Sequence, residues 1–235
     1  MTDPIAFLCA MPMELTPLTK RLGLGKDNVN GVDLRTGRLD DRDVVAIVTG
    51  MGTELATRGA ERLLDAITPA HVVVFGITGA LDNDTPIGTL VLPEVVVNSE
   101  TGDEFTHTPL GGGPRRGIMW TTNVMTPEDE LPGLRAKGVV ALDMETAAVA
   151  ACCERESIPW SVFRVISDRA SDGSVVEDVF KLSNQDGTPN MGRVARYVLR
   201  HPQRIPVLMA LSKGVKLATE RAADAAISAV RSLPS

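Results

Sequence analysis

Hydrophobic positions fall in short unbroken runs, separated by stretches of helical spacing. Ile5–Ala10 (IAFLCA), His71–Phe75 (HVVVF) and Trp160–Ile166 (WSVFRVI) are apolar runs of strand length, the last interrupted by one arginine. Runs apolar at nearly every position suit strands buried on both faces, as in the parallel part of an α/β sheet. Thr53–Ile67 instead places Leu55, Ala56, Ala60, Leu63, Leu64 and Ile67 on one helical face. Val32–Arg38 and Val44–Val48 read as strands joined around Asp40-Asp41, a hairpin-like pair that makes the sheet mixed. Thr89–Asn98 reads as one long strand with a bulge or an edge at Pro93. Gly117–Thr122 and Val139–Leu142 read as strands, and Glu128–Ala136 as a short helix.

Met144–Glu156 is apolar almost all round, which predicts a buried helix with Asp143 as its N-cap. From Val175 onward the pattern is helical, with separate helices over Met191–Leu199, Arg204–Leu211 and Lys216–Val230. His201-Pro202 breaks the first from the second. Ser99–Gly117, containing Gly111-Gly112-Gly113-Pro114, reads as a mobile surface loop and candidate lid, with His107 a solvated loop histidine. The order predicts a three-layer α/β/α sandwich around a mixed, twisted central sheet, with a helical C-terminal tail.

Composition narrows this further. A chain of 235 residues, 43% hydrophobic, supports one sizeable core. We expect a single domain over residues 1–235, with a helical extension from about 187 to 235. Basic residues number 24 against 30 acidic, a formal charge of −6, which argues against a nucleic-acid partner. A small molecule is the expected ligand. Arg193, Arg196, Arg200, Arg204, Lys213 and Lys216 cluster in the tail and read as a solvated face. Cys9, Cys152 and Cys153 lie in apolar runs and read as buried free thiols, consistent with a reducing compartment. No cysteine or histidine spacing suggests a zinc site. The N-terminal run is too short for a membrane span and lacks a basic flank, so a cytoplasmic protein without a membrane partner is expected.

Candidate chemistry gathers where strands end. Glu14 follows the first strand, in a first helical turn opened by Pro12. It reads either as a partner of the helix dipole or as a base at the mouth of the sheet. Glu145 opens a helix, and reads as a dipole partner or a hydroxyl-binding group. Asp168 ends a strand after Ser167, and reads as a cap or an acid aimed into a pocket. Thr49-Gly50-Met51-Gly52 is a poor dinucleotide fingerprint, since Leu55 occupies the third glycine position. Gly76-Ile77-Thr78-Gly79-Ala80-Leu81 reads as a loop at a strand's carboxyl end, where open α/β sheets bind ligands. Arg164, inside an apolar strand, requires a carboxylate or several carbonyls.

Taken together these motifs resemble the nucleoside phosphorylase/nucleosidase superfamily. The matching pieces are Ala10-Met11 with Glu14, Thr49–Gly52, Gly76–Leu81, Gly88-Thr89-Leu90-Val91, Asp143-Met144-Glu145 and Val165-Ile166-Ser167-Asp168, over about residues 4–170. They look most like the 5′-methylthioadenosine/S-adenosylhomocysteine nucleosidase branch. Gly76–Leu81 with Gly88–Pro93, and Arg200–Pro206, look like the hopanoid-associated phosphorylase-like members.

The resemblance implies cleavage of the N-glycosidic bond of a purine nucleoside in nucleoside catabolism, such as methionine salvage. No cofactor or metal is implied, and a homodimer is expected. By carry-over, Asp168 protonates the purine N7 and Glu14 orients and deprotonates the attacking water. Glu145 binds the ribose hydroxyls, with Met144 under the sugar. Val124 and Met125 meet the purine, and Ser167, Met51, Gly79 and Thr78 complete the substrate side.

Three positions depart from the family pattern. Asp143 replaces a glutamate, shortening a sugar-side contact. Ile77 replaces a serine, and Val124 replaces the aromatic residue that stacks on the base. They leave the 5′ substituent and the base open. The first loop, Met11–Glu14, lacks the arginine that the family's phosphorylases use for phosphate, which favours water as nucleophile. Arg35, Arg38 and Arg58 keep phosphate as the alternative, and a non-catalytic nucleoside-binding protein is a third reading.

Overall fold

The computed structural model describes residues 3–111, 113–172 and 190–233, together with Asp178, Leu182, Asn184 and Thr188. Gly112, Val175 and Gly187, where a loop, a helix start and an extension are expected, lie outside them. The described strands form one mixed sheet. Its path runs β2 (Gly25–Val29), β3 (Val32–Leu39), β4 (Arg42–Val48), β1 (Ile5–Cys9), β5 (His71–Gly79), β10 (Val139–Asp143), β9 (Ile118–Thr121), β7 (Val95–Asn98), β8 (Glu104–Phe105). A branch leaves β5 through β11 (Trp160–Asp168) to β6 (Leu90–Val91).

The unbroken apolar runs are central strands with helices on both faces. In β1, Ala6 and Leu8 join one core cluster while Ile5, Phe7 and Cys9 join the other, and β5 divides Val72 and Val74 from Val73 and Phe75 in the same way. Helices α2 (Thr53–Ala66) and α4 (Thr146–Arg155) bury Ala60, Leu63, Ala147 and Ala150 in the first cluster. Helices α1 (Pro12–Leu22) and α6 (Ile205–Arg231) bury Leu18, Ala222 and Ala226 in the second. Phe7 and Phe75 meet edge to face, centroids 6.0 Å apart, a geometry worth about 0.5–1.5 kcal/mol beyond area burial. A small helix, α3 (Leu131–Ala136), seats Leu131 and Leu134 against Val139. Helix α5 (Met191–Arg200) precedes α6. This is the expected three-layer sandwich, and the cysteines are buried and free.

Several expectations are corrected. The chain Gly76–Gly79 is strand rather than loop, because β5 stays in parallel register with β11 from Val72↔Trp160 through Thr78↔Ile166. The stretch 89–98 is not one strand. It breaks around Pro93 into β6, which pairs with β11, and β7, which pairs with β9. The polar strand β2, Gly25–Val29, has no hydrophobic signal and is defined by its pairing with β3. The loop after Asn98 contains β8 and is pinned by buried Phe105 and Leu110. Thr108 N donates to Trp160 O at the amino end of β11, the end opposite Asp168, so this part of the loop is no lid over the carboxyl ends. His107 is buried, not solvated; one ring nitrogen lies 2.7 Å from Pro93 O. Helix α4 begins at Thr146, not Met144. The two expected tail helices are one 27-residue helix, α6, continuous through Gly214. A Cβ at Gly214 would meet Ser167 O at 2.6 Å, so glycine lets α6 approach the sheet backbone closely.

Candidate active site

Two parts of the sheet meet at one point. The carboxyl end of β5 touches that of β10 through Gly79↔Leu142, and β1, β4, β9 and β11 end nearby. Such convergence of carboxyl ends is where open α/β sheets form binding crevices.

Glu14 lies in the first turn of α1, fully buried. Its Oε2 accepts from Met11 N at 2.9 Å and its Oε1 from Ile77 N at 2.8 Å. Gly76 (φ 155°) makes room for it, because a Cβ there would collide with Glu14 Oε1 and approach Arg164 Nη1. Arg164 is the largest fully buried side chain among the described residues and the hub of the site. Its Nη2 donates to Asp143 Oδ2 at 2.7 Å and to Glu145 Oε2 at 3.4 Å, and its Nη1 stands 3.8 Å from Glu14 Oε1. Asp143 also accepts from Thr121 Oγ1 at 2.6 Å and from Thr146 N at 2.9 Å, and the Thr146 hydroxyl closes onto it. The expected sugar-side contact at Asp143 is therefore corrected: its carboxylate faces the protein interior, and its backbone-capping bond serves the start of α4.

Three buried carboxylates thus share one buried guanidinium. Burial, opposed by Arg164, raises the Glu14 pKa. Burial, again opposed by Arg164 and assisted by Asp143, raises Glu145 to about 7. Glu145 Oε1 accepts from Gly52 N at 2.9 Å, which ties α4 to the turn after β4.

Asp168 stands outside the Arg164 cluster. An extra residue enters β11 where the register passes from Ile166↔Thr78 to Asp168↔Gly79, a bulge that re-aims the aspartate. Ser167 Oγ donates to Asp168 Oδ1 at 2.5 Å. Burial raises the Asp168 pKa to about 6, the serine bond opposing and Asp172 adding to the rise. Gly79 lies alongside; a Cβ there would sit 3.2 Å from Asp168 Oδ2. Thr78 is buried, and its hydroxyl donates to Leu142 O at 2.5 Å. Ile77 contributes its N–H to Glu14 and its side chain to the core.

A cleft of about 570 Å³ opens beside Glu145, lined by Met51, Gly52, Thr53, Glu54, Leu55, Arg58, Asn123 and Met144. That volume falls within the usual range for small-molecule sites. Met51 and Met144 line it as expected. Val124 and Met125, next to Asn123, are 68% and 38% exposed. Glu14, Ser167 and Asp168 are not part of the cleft's wall; Gly52, through its bond to Glu145, joins the cleft to the Arg164 cluster that includes Glu14, and Ser167 and Asp168 lie outside that cluster. Arg164, Thr146, Thr121 and Asn123 were not among the expected substrate-side or catalytic residues, while Arg58, expected as a phosphate candidate, lines the cleft. The lone arginine in an apolar strand was a signal for the first. Asn123, whose Oδ1 accepts from Thr53 N at 2.9 Å, is placed by tertiary contact alone.

Among the described residues no group of acidic, histidine or cysteine side chains is arranged to hold a metal. The site is thus a protonatable acid and an arginine-held carboxylate cluster at converging strand ends, with a cleft of small-molecule size beside the cluster. Residues 4–115 and 113–200 match the model of the phosphorylase superfamily, and the chain belongs to that superfamily.

Its relatives include a 5′-methylthioadenosine/S-adenosylhomocysteine nucleosidase of Mycobacterium tuberculosis, 27% identical over 75% of this chain and 90% of the relative. That of Oceanobacillus iheyensis is 24% identical over 73% of this chain and 89% of the relative. Among solved structures, the Neisseria meningitidis 5′-methylthioadenosine/S-adenosylhomocysteine nucleosidase in complex with methylthio-immucillin-A superimposes with a TM-score of 0.75 at 16% identity, covering 98% and 100% of the two chains. The futalosine hydrolase of Helicobacter pylori does so with a TM-score of 0.72 at 16% identity, covering 99% of each. These structures share the fold.

Proposed function

We propose that the protein hydrolyses the N-glycosidic bond of a purine nucleoside, of adenine type and 5′-substituted as in methylthioadenosine or adenosylhomocysteine. The observation that carries this reading is the separation of the carboxyl groups. Asp168 is half-buried with no described cation at ion-pair distance, and its pKa is raised to about 6, whereas Glu14 is fully buried and held by two backbone N–H groups beside Arg164. Burial raises the pKa of both, so the roles are read from position: the acid outside the arginine cluster gives a proton and the arginine-held carboxylate takes one, the division that glycoside cleavage through an oxocarbenium-like state requires.

Asp168 gives its proton to the purine N7 as the N9–C1′ bond breaks. Glu14 takes a proton from the water that attacks C1′. The products are the free base and the ribose. Glu145 accepts from the ribose hydroxyls, Met144 packs under the sugar, and Met51, Gly79, Thr78, Ser167, Val124 and Met125 border the substrate. No cofactor enters. A homodimer, whose second subunit completes the open 5′ side of the cleft, is part of the proposal. The names of the relatives support a nucleoside substrate.

Phosphorolysis is the second reading, favoured by one observation: Arg58 lines the cleft, although its guanidinium is paired with Glu54 at 2.5 Å. The two are separated by assaying base release from adenosine, inosine, methylthioadenosine, adenosylhomocysteine and a bulky 5′-alkyl adenosine, with and without phosphate. Hydrolysis predicts release without phosphate; release that requires phosphate supports the second reading. Nucleoside binding with no release under either condition would make the protein a non-catalytic binder.

A further inference from the structure

Part of the apolar face of α5 is exposed: Met191, Ala195 and Leu199 are exposed, and Val194 and Val198 are half-buried. At helical spacing Met191, Val194, Ala195, Val198 and Leu199 fall on one side, and Arg193, Arg196 and Arg200 on the other. A helix of this pattern ordinarily turns its apolar face to the core. In α5 no residue is buried, and Met191 and Leu199 are 71% and 83% exposed. The uncovered surface continues into α6, where Met209 is 57% exposed. The same stretch, Asn190–Lys216, carries Arg193, Arg196, Arg200, Arg204, Lys213 and Lys216 and no acidic residue, in a chain whose net charge is −6.

We propose that α5 and the start of α6 dock on an anionic membrane surface, with α5 lying in the plane of the interface. Its strong amphipathicity, arginine-rich polar face and modest overall hydrophobicity are the pattern of helices that lie on a bilayer. Met191, Ala195 and Leu199, the exposed members of this face, enter the boundary between headgroups and acyl chains. The arginines lie within reach of the leaflet's field, which extends about 10 Å at ordinary ionic strength. The absence of a spanning run, on which the expectation of no membrane partner rests, bears on crossing a bilayer and not on lying against one. Among the described residues no helix is long and apolar enough to cross.

A second copy of the chain fits this face less well. A helix of ten residues is about 15 Å long, so the face of α5 alone is short for a stable interface of roughly 800 Å² per partner. A two-fold contact there would also bring the same cations of both copies into one rim. The remainder of α6 packs on β5 and β11, with Gly214 against Ser167, so the docking segment is anchored to the sheet.

Flotation of the protein with vesicles tests this. The probes are phosphatidylcholine vesicles containing about one third phosphatidylglycerol, and pure phosphatidylcholine vesicles, at low and high salt. The protein is expected to float with the anionic vesicles, roughly tenfold or more weaker with the neutral ones, and to dissociate as salt rises. The pairs Met191→Glu/Leu199→Glu and Arg196→Glu/Arg200→Glu, all at exposed positions, each lose flotation while keeping the circular dichroism spectrum and melting temperature. Failure of the wild type to float with anionic vesicles overturns the proposal, as does undiminished binding by the charge-reversed pair. Sedimentation equilibrium adds a third contrary result: if Met191→Glu/Leu199→Glu splits a wild-type assembly into monomers, a second copy covers the face.

Discussion

Arg164 occupies a strand otherwise apolar from Trp160 to Ile166, and its surroundings explain why it is tolerated there. It balances Glu14, Asp143 and Glu145, none of which has another described cation at ion-pair distance. Replacing it by methionine leaves three buried carboxylates together, and breaking buried pairs of this kind costs roughly 3–5 kcal/mol. Denaturant titrations should show that loss near neutrality. They should show it shrinking as pH falls, because the orphaned carboxylates can then take protons. Asp168 titrates in the same sense, with no described cation beside it. Its folded pKa of about 6 lies above the ordinary 3.8. Its neutral form therefore favours the fold, fully below the ordinary value, and that contribution is lost as pH rises toward about 6. Asp168→Asn should accordingly be more stable than the wild type above about pH 6, with a flatter stability profile across that window. In catalysis the same titration removes the acid, so log kcat/KM should fall with unit slope above about pH 6 for the wild type. Glu14→Gln should retain nucleoside binding and lose hydrolysis by about 10²-fold or more, measured as base released without phosphate. The need of Arg164 for carboxylates was legible in the chain. That Asp143 is one of them was not, since the choice between facing sugar and facing arginine is made by Thr121 and Thr146.

At the scale of elements, the parallel core strands and flanking helices were legible because burial on both faces leaves unbroken apolar runs. The errors fall where pairing or close approach, rather than hydrophobicity, decides. Gly76–Gly79 looks like loop chemistry, yet pairing with β11 keeps it extended, and the small residues there make room for Glu14 and Asp168. Gly214 looks like a break between helices, but it is a contact point between α6 and Ser167 O. Gly214→Ala should raise helix propensity and nonetheless lower stability by about 1–3 kcal/mol, because α6 must shift away from the sheet. The shift acts on the residue preceding Asp168, so thermal unfolding and base release should both decline. A melting temperature at or above the wild-type value would show that the contact is loose.

Across the whole molecule, one sheet brings together groups from five separate stretches: Glu14, the turn 49–52, Gly76–Gly79, Asp143–Glu145 and Ser167-Asp168. Their order along the chain was readable, and the superfamily match agrees with it. A division of labour among them was implied by the resemblance; what the chain did not show is which carboxylates Arg164 reaches and which one it leaves alone. That division is the central claim. It is tested most directly by comparing base release from the best nucleoside substrate by the wild type and by Asp168→Asn, with nucleoside binding and the melting curve measured in parallel. The account predicts loss of release by about 10²-fold or more in the variant, with binding and fold retained. Near-normal release by Asp168→Asn would contradict it.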